Sequence, residues 1–305
     1  MVERHEPVWE AHEHKYRAGV GAALRLVAAE VRLRRGETDA DAVIVGYPGH
    51  LDIGAARRLG KPVVFNPLVS LADTLVDRGL RGAGLLRAID RHAFRAADLV
   101  VADTEAHGEL FRSLGARRVE VCFVGAEERV FQPGWTGGGD VLFVGKLSPL
   151  HGLTTILEAA RLAPDLRFRI VGSGQLDRLL ADRPSNVEHV AWIDYSRLPD
   201  ELHDAACALG IFGTSPKAAR VIPNKVFQAL ACGTPVVTAD TPSARELLRD
   251  GESALLVPPG DPQALVDAIR NVTPSIGEGG LAAYRAHASE AVLGVRWRSL
   301  IQSLL

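Results

Sequence analysis

The chain has 305 residues, of which 47% are hydrophobic and 24% are charged, and its formal net charge is −2. This length allows two domains of ordinary size, the composition is typical of a globular protein, and the near-neutral charge excludes a general nucleic-acid-binding character. No apolar run reaches the roughly 18 residues of a membrane span. The start of the chain is charged and polar, unlike a signal peptide, and the three cysteines are far apart in the sequence. We therefore expect a cytoplasmic protein with reduced, buried thiols.

Short apolar segments alternate with helical patterns through the first half of the chain. Residues 15–35 have the spacing of an amphipathic helix, whose arginine face would be solvated or would rest on an anionic membrane. The predicted strands that follow are at residues 42–47, 62–66, 98–102 and 119–124. The predicted helices between them are at residues 51–59, at residues 80–97 with Arg81, Arg87, Arg91 and Arg95, and from Asp103-Thr104 to Leu114. This alternation indicates a parallel sheet with helices on both faces.

The segment Gln132–Gly139, QPGWTGGG, is rich in residues that break regular structure, and we interpret it as a linker between domains. After it the predicted strands are at residues 141–144, 167–171, 187–191, 208–212, 235–238 and 254–257. Predicted helices include residues 153–162, 176–180 and 262–271 and a last helix from about residue 291. We therefore divide the chain into an N-terminal domain (1–132), a C-terminal domain (133–290) and a C-terminal helix (291–305), which could pack back on the N-terminal domain.

A helix start at Asn224 is the first candidate site. Asn224 is a suitable N-cap, and Lys225 lies in the first turn, where a positive charge opposes the helix dipole. A bound phosphate would explain this lysine, since a helix N-terminus offers free N–H groups to an anion. An ordinary surface lysine is the alternative.

Three loops follow strands of the second half, where open parallel sheets bind ligands. Glycines allow the backbone to approach a ligand closely, and Lys or His can neutralise phosphate. Each loop alone is a weak signal, but together they predict a diphosphate site. The residues concerned are Gly145, Lys146, His151 and Gly152 in the first loop, Gly172, Ser173 and Gly174 in the second, and Lys217 and Arg220 in the third, which leads into Asn224 and Lys225.

These pieces resemble, in order and spacing, the family 4 type of nucleotide-sugar glycosyltransferase. The resemblance covers the second half through FVGKLSPLHGL, VGSG, IPNKVFQALACGTPVVTAD and DGESALLVPPGDPQALVDAI. It is looser in the first half, through DAVIVGYPGH, KPVVFNPLVSLADT and RAADLVVADTEAH. The resemblance implies an α/β protein with two facing Rossmann-like domains, the GT-B fold. The C-terminal domain would bind the donor, and the N-terminal domain would be shortened.

The roles of family residues can be carried over by position. The Arg and Lys that contact the donor diphosphate in the family correspond here to Lys146 and His151. Two glutamates that the family often has eight positions apart correspond to Arg220 and Gln228. The resemblance therefore implies that Lys217, Arg220 and Gln228 lie at the donor sugar or ribose, with the charge reversed at Arg220 and neutral at Gln228.

Two further departures concern the first half. The histidine that the family has after the strand matching PVVFN is missing, because Asn66-Pro67 stands there, and His50 on a neighbouring turn is the candidate catalytic replacement. The strand and glycine-rich loop with which family members open are also missing, so we expect either a truncated version of a longer protein or a reduced first domain.

The resemblance implies transfer of a sugar from a UDP, GDP or ADP sugar to a glycan, lipid or small-molecule acceptor, with retention of configuration. It implies neither a cofactor nor a metal, and we expect no nucleic-acid partner. A peripheral contact with the inner face of the membrane is left open. One alternative is a nucleotide-sugar epimerase, for which no convincing carboxylate pair is present. Another is a catalytically weakened homologue that acts as a nucleotide-binding or partner subunit, which Arg220, Gln228 and the short start favour.

Overall fold

The computed structural model describes residues 39–305. The helix predicted at residues 15–35 lies outside the described residues. Within them, strands and helices alternate along the chain and form two parallel sheets, one of four strands and one of six. The predicted α/β architecture is therefore confirmed.

The first sheet has the strand order β1-β2-β3-β4, and every pairing is parallel. In the register of its first pair, Val43 lies beside Val63 and Gly46 beside Asn66. Its strands are β1 (Val43–Gly46), β2 (Val63–Asn66), β3 (Leu99–Ala102) and β4 (Val119–Val121). All four lie within the strands predicted from the apolar runs.

The second sheet has the order β10-β9-β8-β5-β6-β7 and is also entirely parallel. The central strand β5 (Val141–Val144) pairs with its neighbours on both sides. The other strands are β6 (Phe168–Val171), β7 (Val187–Val190), β8 (Cys207–Leu209), β9 (Val236–Ala239) and β10 (Leu255–Val257). Parallel pairing places the carboxyl ends of all these strands at one edge.

Helices connect the strands of both sheets. The first four are α1 (Ile53–Arg57), α2 (Leu71–Asp77), α3 (Ala83–Ala96) and α4 (Glu105–Ser113). The others are α5 (Leu153–Leu162), α6 (Leu198–Asp204), α7 (Asn224–Cys232), α8 (Ala244–Leu247), α9 (Pro262–Arg270), α10 (Pro274–His287) and α11 (Glu290–Gln302). The helix predicted at residues 176–180 is a short 3-10 turn, Asp177–Leu180, and α2 was not predicted at all.

Each sheet is covered on both faces because side chains alternate between the faces along a strand. In β5, Phe143 points into a core formed with α5 and α9, and Leu142 points into a core formed with α6, α7 and α10. In the first sheet, α1, α3 and α4 cover one face. The other face packs against Leu300 of α11, which the chain reaches only after completing the second sheet.

Three smaller features complete the architecture. The segment that we interpret as a linker runs along the second sheet, where the N–H groups of Gly134 and Trp135 both donate to the Cys232 carbonyl oxygen.

Cys122, Cys207 and Cys232 are free and buried, as expected. Burial raises the pKa of Cys122 to about 11 and those of the other two thiols to about 12, so all three are neutral. Within residues 39–305, none of the helices combines the length and the apolar character that crossing a membrane requires.

Candidate active site

The loops after β5, β6 and β8 contact one another at the carboxyl edge of the second sheet. They meet because β5 lies between β8 and β6. The Leu147 N–H donates to the Ser173 carbonyl oxygen over 3.1 Å, and the Gly213 N–H donates to the Leu150 carbonyl oxygen over 3.2 Å. The three predicted loops therefore form one surface.

Glycines make this close contact between loops feasible. Gly152 has φ +69°, and a Cβ there would lie 2.6 Å from the backbone carbon of Phe212. At Gly172, with φ +135°, a Cβ would lie 2.0 Å from the Gly145 carbonyl oxygen. No side chain fits at such distances, so these two glycines are explained by the packing of one loop on another.

Lys225 is the most unusual side chain of this edge. Its Nζ is buried, has no hydrogen-bond partner among the described residues, and lies 3.5 Å from the centroid of the Phe143 ring. Burial lowers the pKa of Lys225 well below its ordinary value of 10.5. The aromatic face compensates only part of the desolvation of an ammonium group. An unpartnered cation that points towards Gly145 at the edge of the sheet is suited to an anionic ligand.

His151 lies beside Lys225 but carries no charge. Its Nδ1 is hydrogen-bonded to the Lys146 carbonyl oxygen and lies 3.2 Å from the Ser148 hydroxyl. Burial, and after it the nearby Lys225, lowers the pKa of His151 to about 2. This corrects the expectation that His151 neutralises phosphate: in this environment it is a neutral hydrogen-bonding group.

A pocket of about 330 Å³ opens between the two sheets at this edge. Its volume is within the usual range for small-molecule sites. The predicted site residues that it brings together are Gly145, Lys146, His151, Lys217, Asn224, Lys225 and Gln228. The first sheet's side of the pocket is formed by Asp77 and Arg78, at the end of α2, which the sequence analysis missed because it did not predict that helix. The pocket lining does not include Gly152, Gly172, Ser173, Gly174 or Arg220.

Gln228 lies one turn after Lys225 on α7 and lines the same pocket. Its side chain also approaches Tyr195: burial raises the pKa of the Tyr195 hydroxyl, and hydrogen bonding with Gln228 opposes that shift. The Tyr195 hydroxyl is itself 3.5 Å from a carboxylate oxygen of Glu127. Gln228 is therefore a polar group at the pocket wall that also hydrogen-bonds with Tyr195.

Helix α2 is joined to the loop after β8 by three side-chain contacts, which we call the α2 bridge. Ser215 donates to Asp77 over 2.5 Å, and the Lys217 Nζ donates to the Thr74 hydroxyl over 2.8 Å. The third contact is an ion pair in which Arg220 donates to Asp73 over 2.6 Å. These contacts connect the two sheets directly beside the pocket.

The α2 bridge corrects the role expected of Arg220. Its guanidinium is paired with the Asp73 carboxylate, and the residue does not line the pocket. The positive charge at position 220 is therefore explained by its ion pair with Asp73 of α2, which belongs to the first sheet's half of the chain. Lys217, in contrast, both joins the bridge and lines the pocket.

A buried carboxylate, Asp90, holds α2 in place. It accepts hydrogen bonds from the Ser70 hydroxyl at 2.6 Å and from the N–H groups of Leu71 and Ala72 at 3.0 and 3.1 Å. The two N–H groups are among the unpaired donors at the start of a helix, so Asp90 caps α2 from a neighbouring helix. The His50 Nε2 lies 3.4 Å from Asp90 Oδ1, the oxygen that accepts from the Leu71 N–H.

The structure also corrects the expectation for His50. The residue is 1% exposed, and its ring packs edge-on against Phe65 with the centroids 4.9 Å apart. Burial lowers the pKa of His50, and the nearby Asp90 carboxylate opposes that shift. A side chain enclosed in this way cannot touch a ligand in the pocket. His50 lies beside Asp90, but its Nε2 has no hydrogen-bond partner among the described residues.

Within residues 39–305, no group of three or more His, Cys, Asp or Glu side chains is arranged to hold a metal ion.

Two parallel α/β sheets with a cationic pocket between them, at the carboxyl edge of the second, define a protein of the two-domain GT-B class. Residues 138–273 match the family of group 1 glycosyl transferases. The second half of the chain is therefore similar to group 1 glycosyl transferases, and the fold is that of the GT-B glycosyltransferases.

Three similar proteins carry names of transferases. The chain is 33% identical over 142 residues to a phosphatidyl-myo-inositol mannosyltransferase of Mycobacterium leprae, a match that covers 43% of this chain and 36% of the relative. It is 29% identical over 283 residues to a GDP-mannose-dependent alpha-mannosyltransferase of Mycobacterium tuberculosis, over 88% of this chain and 72% of the relative. A D-inositol 3-phosphate glycosyltransferase of Mycobacteroides abscessus is 27% identical over 276 residues, over 78% of this chain and 59% of the relative. The matches to the first and third thus span less than two thirds of those proteins.

Solved structures share the fold. A sucrose-phosphate synthase from Thermosynechococcus elongatus superposes with a TM-score of 0.76 and 16% identity, over 93% of this chain and 78% of that one. The Anabaena protein HepE, solved with UDP-glucose, superposes with a TM-score of 0.73 and 18% identity, over 94% of this chain and 84% of that one. At these identities the likeness establishes the GT-B architecture.

Proposed function

We propose that this protein is a glycosyltransferase that takes a sugar from a nucleoside diphosphate sugar and transfers it, with retention, to an acceptor bound between the two sheets. The observation that carries the proposal is the buried Nζ of Lys225 at the wall of the pocket, which has no hydrogen-bond partner within residues 39–305. A diphosphate would give this ammonium group an anionic partner. The helix N-terminus at Asn224 offers N–H groups to the same anion.

The nucleotide of the donor is of the UDP, GDP or ADP type. Two names among similar proteins support the first two, since one relative is described as GDP-mannose-dependent and one structural neighbour was solved with UDP-glucose. The acceptor is a glycan, a lipid or a small molecule. The proposal needs no metal or cofactor, because lysines of the pocket face the diphosphate.

The proposed chemistry depends on stabilising the leaving diphosphate. Negative charge grows on its oxygens as the bond to the sugar breaks, and preorganised cations at that point lower the barrier. Lys146 and Lys225 provide the positive charge, and His151, as a neutral imidazole, offers a hydrogen bond. Gln228 can pair with ribose hydroxyls.

Isothermal titration with UDP, GDP and ADP tests the donor site. Wild type should bind at least one of them, and Lys225→Met should weaken that binding at least tenfold, because a hydrogen bond to a charged group contributes about 1.5–3 kcal/mol. Lys61→Met is the matched control, since Lys61 precedes β2 at the opposite end of a strand. If wild type binds none of the three at millimolar concentration, the proposed donor site is wrong.

A panel of UDP, GDP and ADP sugars tests turnover without knowledge of the acceptor. A working transferase should slowly release nucleoside diphosphate from its preferred donor, because water can replace the acceptor. Release should fall in Lys225→Met and stay unchanged in Lys61→Met. Binding without release across the whole panel would contradict the enzyme and favour a nucleotide-binding partner subunit.

A further inference from the structure

The surface formed by the end of α2, the loop after it and α3 is strongly cationic. Residues 76–95 contain five arginines, in a chain whose net charge is −2. No hydrogen bond or ion pair involves the side chains of these arginines among residues 39–305, and all five are exposed: Arg78, Arg81, Arg87, Arg91 and Arg95. We call residues 76–95 the arginine hairpin.

Acidic groups do not offset this charge at the surface. The arginine hairpin contains two carboxylates, of which Asp90 is fully buried and caps α2. The other, Asp77, accepts a hydrogen bond from Ser215 in the α2 bridge. Both carboxylates therefore have hydrogen-bond donors of their own, and the exposed charged side chains that the structure describes in the hairpin are all arginines.

The arrangement on α3 makes the charge more concentrated. Arg87, Arg91 and Arg95 follow one another at intervals of four residues, which places them in a row along one side of the helix. The opposite side, with Ala93 and Phe94, is buried in the core. Like charges at this spacing destabilise a helix, so the row favours an anionic surface beside it.

Large apolar side chains are exposed in the same segment. Val76 is 55% exposed, Leu80 54% and Leu85 72%. Exposed aliphatic groups beside unpaired arginines are the composition of a surface that enters the interface of a lipid bilayer. A nucleic acid would use the cations but would give no burial to three aliphatic side chains.

We propose that the arginine hairpin docks on an anionic lipid bilayer and so holds the mouth of the pocket at the membrane surface. Asp77 and Arg78 belong to both the hairpin and the pocket lining, so docking brings the cleft next to the lipid headgroups. The proposed docking would place the acceptor among molecules carried by a membrane, and that part of the proposal rests on the proposed function. Bilayer binding itself depends only on the hairpin.

Vesicle flotation measures the docking directly. Full-length protein is mixed with vesicles of phosphatidylcholine alone and with vesicles of equal parts phosphatidylcholine and phosphatidylglycerol. We expect binding to the mixed vesicles only, weakened by raising the salt concentration. Arg87→Glu/Arg91→Glu should bind at least tenfold more weakly, and Leu80→Gln/Leu85→Gln should bind several-fold more weakly while keeping the salt dependence of wild type.

The control reverses the same number of charges elsewhere. Arg197→Glu/Arg298→Glu changes two exposed arginines outside the hairpin and should bind the mixed vesicles as wild type does. Titration of the nucleotide that wild type binds should give the same affinity for every variant. Equal affinities would show that each variant is folded and that the substitutions affect vesicle binding without affecting the donor site.

Three results would overturn the docking surface. Wild type could bind nucleotide and fail to float with mixed vesicles, the hairpin variant could float like wild type, or the control could lose as much binding as the hairpin variant. Tight binding to duplex DNA with no binding to vesicles would reassign the cations to a nucleic acid.

Discussion

Lys225 shows at the scale of one residue how a poor choice for stability becomes a suitable choice for binding. An ammonium group buried without a partner destabilises the folded chain, and a bound anion removes that cost. The position is filled by lysine although a methionine beside the Phe143 ring would bury no charge. The site therefore gives up stability in the free protein and recovers it in the complex.

We expect Lys225→Met to raise the free energy of unfolding of the free protein by about 1–3 kcal/mol near neutral pH. The folded pKa of Lys225 lies below 10.5, so between the two values the unfolded chain binds more protons and wild-type stability rises with pH. The advantage of the methionine variant should therefore shrink as pH approaches 10.5. Urea denaturation at several pH values measures this, and a methionine variant that is less stable than wild type at pH 7 would show that the ammonium group has a partner in the free protein.

Gln228 is the residue at which the family comparison is most open to test. We expect Gln228→Leu to weaken nucleotide binding by about 1–3 kcal/mol, because a ribose hydroxyl would lose its partner. Gln228→Glu should change the affinity by no more than about tenfold, since a carboxylate makes a somewhat stronger bond than an amide. Titration of both variants with the nucleotide that wild type binds decides the matter. Equal affinity of wild type and Gln228→Leu would remove the ribose contact.

At the scale of elements, α2 is the part of the fold that sequence reasoning missed and that the site needs most. It is seven residues long, and two of its first N–H groups are satisfied by Asp90, about twenty positions later in the chain. The sequence does hold a local N-cap for α2, since the Ser70 hydroxyl accepts from the Asp73 N–H, but local patterns carry no sign of the distant Asp90. The strands, in contrast, were readable because buried parallel strands form short apolar runs, and β5 was predicted with the bounds it has.

The same distinction separates the site residues. Lys225 was predicted from a local conflict between a cation and a helix N-terminus, and the pocket contains it. Arg220 was placed at the donor sugar by position alone, but its partner Asp73 is 147 positions away and on the other sheet's unit. His50 was chosen as the nearest histidine, and only the packing of Phe65 around it shows that it is enclosed.

The ion pair of the α2 bridge should couple the two sheets energetically. Both side chains are mostly buried, with 22% of Arg220 and 16% of Asp73 exposed, so solvent screens the pair less than a surface pair. In a double-mutant cycle of Asp73→Asn and Arg220→Gln, we expect a coupling of about 1–2 kcal/mol in the free energy of unfolding. The exposed pair Arg270–Asp165 provides the control and should couple by less than about 0.5 kcal/mol. Additive effects at Asp73 and Arg220 would mean that the pair does not form in solution.

At the scale of the whole molecule, the last helix returns to pack against the first sheet. Helix α11 follows the second sheet in sequence but covers the face of the first sheet formed by Val64, Leu99 and Val101. Arg296 of the same helix donates to Glu120, and the Ser303 hydroxyl accepts from Arg118. The two sheets are thus joined by α11 on one side, by the α2 bridge beside the pocket, and by the start of α4, where the Thr104 hydroxyl donates to the Arg220 carbonyl oxygen. A pocket bounded by both sheets keeps its shape only if these contacts between the sheets persist.

Leu300 carries much of the contact between α11 and the first sheet, because it is 3% exposed within that apolar cluster. Leu300→Ala removes buried methyl groups and leaves a cavity, for which a loss of about 2–5 kcal/mol in the free energy of unfolding is usual. Val295→Ala on the same helix is the control: Val295 is 60% exposed, and its truncation should change stability by less than about 0.5 kcal/mol. Amide hydrogen exchange should show the Leu300 effect in β2 and β3, which lie more than 190 positions earlier in the sequence. Faster exchange confined to α11 itself would mean that the helix frays without loosening the first sheet, and the joint would then contribute little to the shape of the pocket.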